Sequence, residues 1–140
     1  MTNVVNINDI VNEKIKHINI EEALNAIRTS ETKMVIKALE RNKFNSEEVC
    51  ILVEEACRYE NIEVAECILK NYKEILYFFH CDVLDVAVMS CNFELIEMVL
   101  DQYDDGYIPE LKYQWSLDRA KANNKVEILN LIQNKNIKVN

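Results

Sequence analysis

Apolar residues recur along this chain in groups of four that are separated by polar stretches. Within a group they are spaced i, i+1, i+4 and i+5, which places the four side chains on one stripe of an α-helix. The clearest groups are Val64, Ala65, Ile68 and Leu69, followed by Leu95, Ile96, Val99 and Leu100. The pattern therefore predicts amphipathic helices, each with one face turned toward a core.

An alanine precedes each group at a fixed distance. These anchor alanines are 30, 31 and 33 residues apart, and they are Ala26, Ala56, Ala87 and Ala120. Apolar residues follow every anchor by eight, nine and twelve positions. Self-similarity at such an interval is typical of repeat proteins, in which one unit stacks on the next. A small residue at the same place in every unit indicates where helices of neighbouring units approach most closely.

Each unit is predicted to contain two helices joined by a short polar turn. The turns contain residues whose side chains accept hydrogen bonds from the free amides of a starting helix. Acidic residues follow in the first helical turn, where the helix dipole favours negative charge. The turn residues are Ser30, Thr32, Asn61, Asn92 and Asn124, and the acidic residues are Glu63, Glu94 and Glu127.

The whole chain, residues 1–140, is predicted to form a single domain of about four units. The expected unit boundaries are 21–45, 46–75, 76–105 and 106–135. A helix within residues 7–20 is expected to cap the array, because the terminal unit of a stack needs an altered outer face. The apolar face of this capping helix would contain Ile7, Ile10, Val11, Ile15 and Ile18.

The pattern resembles the ankyrin repeat, which recurs about every 33 residues with a TPLHxA-like entry and an LEVVKLLL-like second helix. The matching entries are DVLDVA at 82–87 and WSLDRA at 115–120, and the second helices read IEVAECIL, FELIEMVL and VEILNLIQ. The resemblance covers residues 21–134. It implies an all-α fold, an α-solenoid of about four stacked helix pairs with an N-terminal capping helix.

The chain departs from the ankyrin pattern at its turns. The turn glycine of the family is replaced by Ser30, Glu60, Cys91 and Asn124, and both the Thr-Pro start and the Gly-Asp finger turn are missing. We therefore expect the projecting finger hairpins to be reduced or absent. One glycine and one proline in 140 residues also disfavour folds built on tight turns. Both lie in the longest connection, residues 103–113, which is expected to be a surface loop.

No residue pattern points to enzymatic chemistry. The triplet His80–Asp82 places a thiol beside an imidazole, but it falls at a helix entrance, where capping or packing is the favoured interpretation. The five cysteines have neither the spacing of a zinc site nor that of a disulfide framework. A single glycine excludes a glycine-rich phosphate loop. We predict that the protein is not an enzyme and has no catalytic, cofactor-binding or metal-binding residue.

Charge is distributed unevenly along the chain. Residues 46–105 carry 15 acidic and 3 basic side chains, a net charge of −12, whereas the remainder carries 9 acidic and 13 basic ones, a net charge of +4. An acidic centre has the wrong sign for direct nucleic-acid binding, which needs a cationic face. It is compatible with solvated helix faces, with a partner that has a basic surface, or with a decoy that imitates nucleic acid.

The expected location is the cytoplasm, which could be that of a host cell. The sequence lacks the pattern of a secretory signal and contains no apolar run long enough to cross a membrane. Abundant Asn, Ile and Lys are typical of AT-rich genomes such as those of large DNA viruses and intracellular bacteria. Ankyrin-like proteins of such organisms often act on host proteins.

The predicted function is protein–protein interaction, as an adaptor or inhibitor that binds through a concave face and its entry loops. In ankyrin domains the contact positions lie just after the anchor alanine and in the preceding loop. By register these residues are Arg58, Tyr59, Met89, Ser90, Ala122 and Asn123, with Glu47, Glu48, Phe78, Phe79 and Lys112 in the loops. Arg58 and Tyr59 are the strongest candidates, because both residue types are enriched at energetic centres of interfaces.

Two alternatives stay open at this point. The chain could be a structural module that self-associates, or less favourably the acidic decoy. The aromatic stretch from Tyr72 to Phe79 could be a buried hydrophobic plug or, if exposed, an interaction site. The oligomeric state and the partner do not follow from the sequence.

Overall fold

A computed structural model describes residues 6–103, 107–135 and 138–139 of the chain. Two of the predictions fall outside this description. They concern Gly106 in the expected surface loop and the side chain of Val11 on the expected capping helix. The described part is mostly helical, which confirms the all-α class.

Nine α-helices, counted over the described residues, follow one another with short connections. They are α1 Ile7–His17, α2 Ile20–Arg28, α3 Thr32–Glu40, α4 Ser46–Arg58, α5 Ile62–Asn71, α6 Val83–Ser90, α7 Phe93–Asp101, α8 Glu110–Ala122 and α9 Val126–Asn134. A 3-10 helix, Lys73–Tyr77, follows α5. Two short strands, β1 Tyr107–Ile108 and β2 Lys138–Val139, pair in parallel, with Tyr107 opposite Lys138.

Asparagine side chains begin five of the helices. Each accepts a hydrogen bond from a backbone N–H of the first turn, which would otherwise lack a partner. The capping residues are Asn6, Asn19, Asn45, Asn61 and Asn92. The predicted capping role is confirmed for the last two of these, whereas α3 and α9 begin without a side-chain cap.

Helices α2, α4, α6 and α8 each end at a non-glycine residue in the left-handed conformation. The φ angles are 62° at Ser30, 55° at Glu60, 60° at Cys91 and 53° at Asn124. These are the positions at which the ankyrin pattern has glycine. Because a Cβ atom is unfavourable at positive φ, each substitution costs backbone energy that glycine would avoid.

The anchor alanines lie one turn before these helix ends and are fully buried or nearly so. In three units the residue after the left-handed position donates its N–H back to the anchor carbonyl, closing the helix end as in a Schellman motif. The donor–acceptor pairs are Glu31–Ala26 at 2.8 Å, Asn61–Ala56 at 2.8 Å and Lys125–Ala120 at 3.0 Å. In the remaining unit the hydroxyl of Ser90 donates to the carbonyl oxygen of Ala87 instead, at 2.6 Å.

The helices pack in two series. Helices α2, α4, α6 and α8 contact one another in succession, and α3, α5 and α7 do the same. Each member of the first series also contacts the helix that follows it along the chain, as α4 contacts α5. The core lies between the two series and contains the apolar stripes predicted from the spacing.

Side-chain hydrogen bonds connect residues that lie about one repeat period apart. The amide of Asn61 donates to the carbonyl oxygen of Ile27 at 3.3 Å, 34 residues away. The hydroxyl of Tyr72 donates to the carbonyl oxygen of Leu39 at 2.7 Å, 33 residues away. Both bonds join α5 to the preceding helix pair, α2 and α3, and so hold the two pairs in position relative to each other.

Candidate functional site

The exposed face of the α2–α4–α6–α8 series holds most of the residues that the sequence pointed to. Arg58 ends α4, Ser90 ends α6 and Ala122 ends α8, so the predicted positions lie at the same end of successive helices. Tyr59 is 54% exposed and Met89 is 49% exposed. The six residues that follow the anchors are thus on the surface, although Ser90 is half-buried.

Direct contacts bring the ends of neighbouring helices together. The guanidinium of Arg28, at the end of α2, lies 5.8 Å from the centroid of the Tyr59 ring. The amide of Asn92 donates to the carboxylate of Glu60 at 2.9 Å, which joins the turns that follow α4 and α6. Tyr59 therefore stands beside a cation from the preceding unit while one side of it stays open to solvent.

Three residues expected in entry loops lie inside helices instead. Helix α4 begins at Ser46, and Glu48 forms a capping box with Asn45, so Glu47 and Glu48 belong to its first turn. Helix α8 begins at Glu110, so Lys112 is helical and buried. The loop assignment was wrong because these helices start one turn earlier than the register of the repeat suggests.

Lys112 has a structural partner below the surface. Its ammonium group donates to the carbonyl oxygen of Cys81 at 2.6 Å, linking α8 to the segment before α6. Burial lowers the pKa of Lys112, while nearby groups including Asp82 and Glu54 act in the opposite direction. The buried ammonium is thus unsuited to direct partner contact.

The aromatic stretch before α6 is divided between core and surface. The alternative in which the aromatic rings form a buried plug is wrong for Tyr77 and Phe79, which are exposed, and the fully buried residues of the stretch are the aliphatic Ile75 and Leu76. Phe78 is half-buried and stacks on His80 at 5.6 Å, whereas Phe79 is 72% exposed. The exposed Phe79 ring contacts Trp115 edge-on, with ring centroids 5.8 Å apart.

Two arginines of this face are paired with carboxylates of neighbouring helices, whereas Arg58 forms its ion pairs within α4. Arg28 donates to Glu55 of α4 through Nε and Nη2, the Nε bond being 3.2 Å. Arg119 of α8 donates to both carboxylate oxygens of Asp85 of α6, at 3.1 Å each. Hydrogen bonding to these carboxylates raises the pKa of Arg28 and of Arg119. The planar guanidinium suits such two-point contacts, which hold successive helices together.

A groove of about 420 Å³ opens between α6 and α8, and we call it the α6–α8 groove. Its lining combines three carboxylates, one guanidinium and an indole ring: Asp82, Asp85, Trp115, Asp118, Arg119 and Ala122. The backbone N–H of Asp82 donates to Glu54 at 3.0 Å. The side-chain Oδ1 atom of Asp82 is buried and lacks a hydrogen-bond partner among the described residues. Of the two roles expected for the His80–Asp82 triplet, capping is not observed, because the Asp82 side chain makes no cap bond to α6, whereas the full burial of Cys81 agrees with packing.

A second groove of about 370 Å³ lies where the turns before α7 and α9 meet. Phe93 and Val126 are exposed at its edge. It lies at the starts of the second helices, and its lining residues Cys91 and Asn124 directly follow the candidate residues Ser90 and Asn123 along the chain.

The cysteines are free thiols, and three of them are buried: Cys50, Cys57 and Cys81. Desolvation by burial raises the pKa of all three, to about 12 for Cys57. A raised pKa opposes thiolate formation, so Cys81 has the environment of a core residue rather than that of a nucleophile.

Among the residues that the structure describes, no three His, Cys, Asp or Glu side chains are grouped so as to hold a metal ion. None of the described helices is both long enough and apolar enough to span a bilayer.

Comparison of the chain with protein-family models, with curated proteins and with solved structures found no match. The candidate site therefore depends on the geometry described above.

Sequence reasoning missed the α6–α8 groove. Asp85 and Arg119 are 34 residues apart, about one repeat period, which is the signal that could have paired them. The place of Trp115 in the groove could not be predicted, because its exposure depends on how α6 and α8 are separated in space.

Proposed function

We propose that this protein is a protein-interaction module built from divergent ankyrin-like repeats. Two features support the proposed architecture: anchor alanines buried at equivalent helix ends, and side-chain hydrogen bonds that connect residues about one period apart. In the proposed array, four helix pairs follow the capping helix α1. The proposed units are 21–45, 46–75, 76–105 and 106–135, with α2 beginning one residue before the first unit and the 3-10 helix Lys73–Tyr77 crossing from the second unit into the third.

The observation that carries the proposed function is the row of exposed side chains at the ends of α4, α6 and α8. Tyr59 and Met89 present large apolar surfaces there, and Arg58 lies next to Tyr59. Aromatic residues, methionine and arginine are the types enriched in protein interfaces, whereas solvated surfaces favour lysine and glutamate. An array of helix ends also forms an extended surface of the kind that repeat proteins use for binding.

Charge indicates the kind of partner. The central units carry the strong negative charge noted in the sequence, and the cations Arg28 and Arg119 are already paired with carboxylates. A partner with a basic surface would therefore be attracted, and nucleic acid would be repelled. In the proposed role the protein acts in the cytoplasm, as an adaptor or inhibitor directed at a host protein.

Site-specific photocross-linking in cells that express the protein tests this proposal. The photoreactive residue benzoylphenylalanine would replace Tyr59 or, in a second variant, Met89. Phe93 is the matched control, because it is a large apolar residue with similar exposure, 41%, at the start of α7. We expect the same partner band from positions 59 and 89 and none from position 93.

Three results would count against the proposal. Equal cross-linking from position 93 would indicate non-specific capture, and no cross-link from any position would remove the support for an interaction surface here. A band at twice the mass of the chain, with light scattering confirming a dimer, would favour the self-associating alternative. Tyr59→Ala should leave the melting temperature within a few degrees of that of the unchanged protein. A large loss of stability would show instead that Tyr59 belongs to the core.

A further inference from the structure

We propose that the α6–α8 groove binds an arginine side chain of the protein partner, with the guanidinium placed between Asp82, Asp118 and the Trp115 ring. The inference rests on the proposed function and names the partner's chemistry at one point of the surface. Its support comes from the groove's charge, from an unsatisfied oxygen and from an aromatic wall.

The groove holds more negative than positive charge. Of its four charged residues, Asp85 and Arg119 already satisfy each other through two hydrogen bonds of 3.1 Å. Asp118 accepts a hydrogen bond from the neutral amide of Gln114 at 2.9 Å, which leaves its charge uncompensated. Asp82 also lines the groove, but the buried ammonium of Lys112 partly offsets its charge, so Asp118 is the carboxylate of the lining that has no cationic partner among the described residues.

Asp82 has an oxygen that lacks a donor. Its Oδ1 atom is buried and makes no hydrogen bond among the described residues, although a buried carboxylate oxygen normally has one. A small recess lined by Asp82, Lys112 and Trp115 continues from the groove. Lys112 is nearby, but its described hydrogen bond goes to Cys81. Because this oxygen is buried, an incoming N–H donor reaches it only when the Asp82 carboxylate turns toward the groove, and the new bond would then recover the cost of leaving the oxygen unpaired.

Trp115 supplies the wall that distinguishes a guanidinium from other cations. The half-buried indole is held from one side by the edge-on ring of Phe79. Indole rings attract cations over their faces, and the planar guanidinium stacks on them while its five N–H groups bond carboxylates in the same plane. A lysine ammonium would lose the stacking contact, so the combination of flat ring and carboxylates favours arginine.

The closing experiment uses the fluorescence of Trp115, which is the single tryptophan of the chain. The probe is the blocked tripeptide N-acetyl-Gly-Arg-Gly-amide, and the control probe replaces arginine with citrulline, which has nearly the same shape but no charge. We expect a saturable change in Trp115 fluorescence with the arginine peptide in the millimolar range. The citrulline peptide should bind at least fivefold more weakly.

Variants locate the binding in the groove. Asp82→Asn and Asp118→Asn should each weaken binding of the arginine peptide at least fivefold, and together they should abolish it. Glu127→Gln is the matched control, because Glu127 is an exposed carboxylate in the other groove. Circular dichroism of each variant shows that the helical fold is kept.

The inference is overturned if citrulline binds as well as arginine, if both Asp82→Asn and Asp118→Asn bind normally, or if the fluorescence stays constant to tens of millimolar. The result is separable from that of the proposed function. The double variant is expected to lose arginine binding, so undiminished cross-linking from position 59 in that variant would show that the partner does not use the groove and would reject the groove inference alone. Absence of both the cross-link and arginine binding in the well-folded protein with an intact groove would reject both proposals.

Discussion

Replacing Ser30 with glycine removes the Cβ atom from a residue that is held at φ 62°. Ser30 follows α2, its side chain is exposed, and its N–H donates to the carbonyl oxygen of Ile27 at 3.3 Å. Glycine keeps that backbone bond and makes the left-handed conformation accessible without steric cost. We therefore expect Ser30→Gly to stabilise the folded state.

The size of the effect follows from two opposing contributions. The left-handed conformation costs a residue with a Cβ atom about 1–2 kcal/mol. Glycine gives the unfolded chain more freedom, which offsets about 0.4–1 kcal/mol of that gain. The free energy of unfolding should thus rise by about 0.5–1 kcal/mol, which corresponds to an increase of about 2–3 °C in Tm for a chain of this size.

Urea unfolding followed by circular dichroism measures this change. Ser30→Ala is one control, since it removes the hydroxyl and keeps the Cβ atom, and it should leave stability nearly unchanged. Asn123→Gly is the other, because Asn123 has φ −90° and glycine gains nothing there. If Ser30→Gly destabilises the protein, or if Ser30→Ala stabilises it equally, the strain argument is refuted.

Three further predictions concern other contacts of the fold. Tyr72→Phe should lower the free energy of unfolding by about 1 kcal/mol in chemical denaturation, because the Leu39 carbonyl loses its 2.7 Å hydrogen bond. Ala56→Leu should cost about 1–3 kcal/mol in the same assay, because the anchor is fully buried where helices pack, and unchanged stability would contradict a close approach. The folded pKa of Cys57 is raised from 9.0 to about 12, so the stability it contributes is present below pH 9 and is lost as pH rises toward 12. The free energy of unfolding should therefore fall less between pH 9 and pH 12 in Cys57→Ala, by up to about 4 kcal/mol. Cys67 is half-buried, so Cys67→Ala should reduce this fall by a smaller amount.

Much of the helical organisation could be predicted from the sequence, because it depends on local spacing. The stripe that contains Val64 and Ile68 is a property of one helix, and both residues are fully buried. The turn positions could also be located from the repeat, as the left-handed φ of Glu60 and Cys91 confirms. Local patterns of this kind need no knowledge of what packs against them.

Features that depend on distant parts of the chain could not be predicted. Helices α4 and α8 begin at Ser46 and Glu110, a turn earlier than the repeat suggests. Glu48 and Lys112 are therefore helical, although they were expected in loops. The strand pair joins Tyr107 to Lys138 and has no periodic signal, since each strand has two residues. The α6–α8 groove depends on the distance between two helices, which side-chain spacing along one helix does not determine.

Hydrogen bonds that join successive helix pairs have a mechanical consequence. Asn61 bonds Ile27 of the preceding pair, and the later pairs are joined by the bonds from Asn92 to Glu60 and from Arg119 to Asp85. When the two chain ends are pulled apart, the force acts on the bonds between one helix pair and the next in sequence rather than on all of them at once. Each rupture would free one period of about 31 residues, which extends by about 100 Å. A force–extension trace would then rise and fall in even steps, and the molecule would yield gradually under tension.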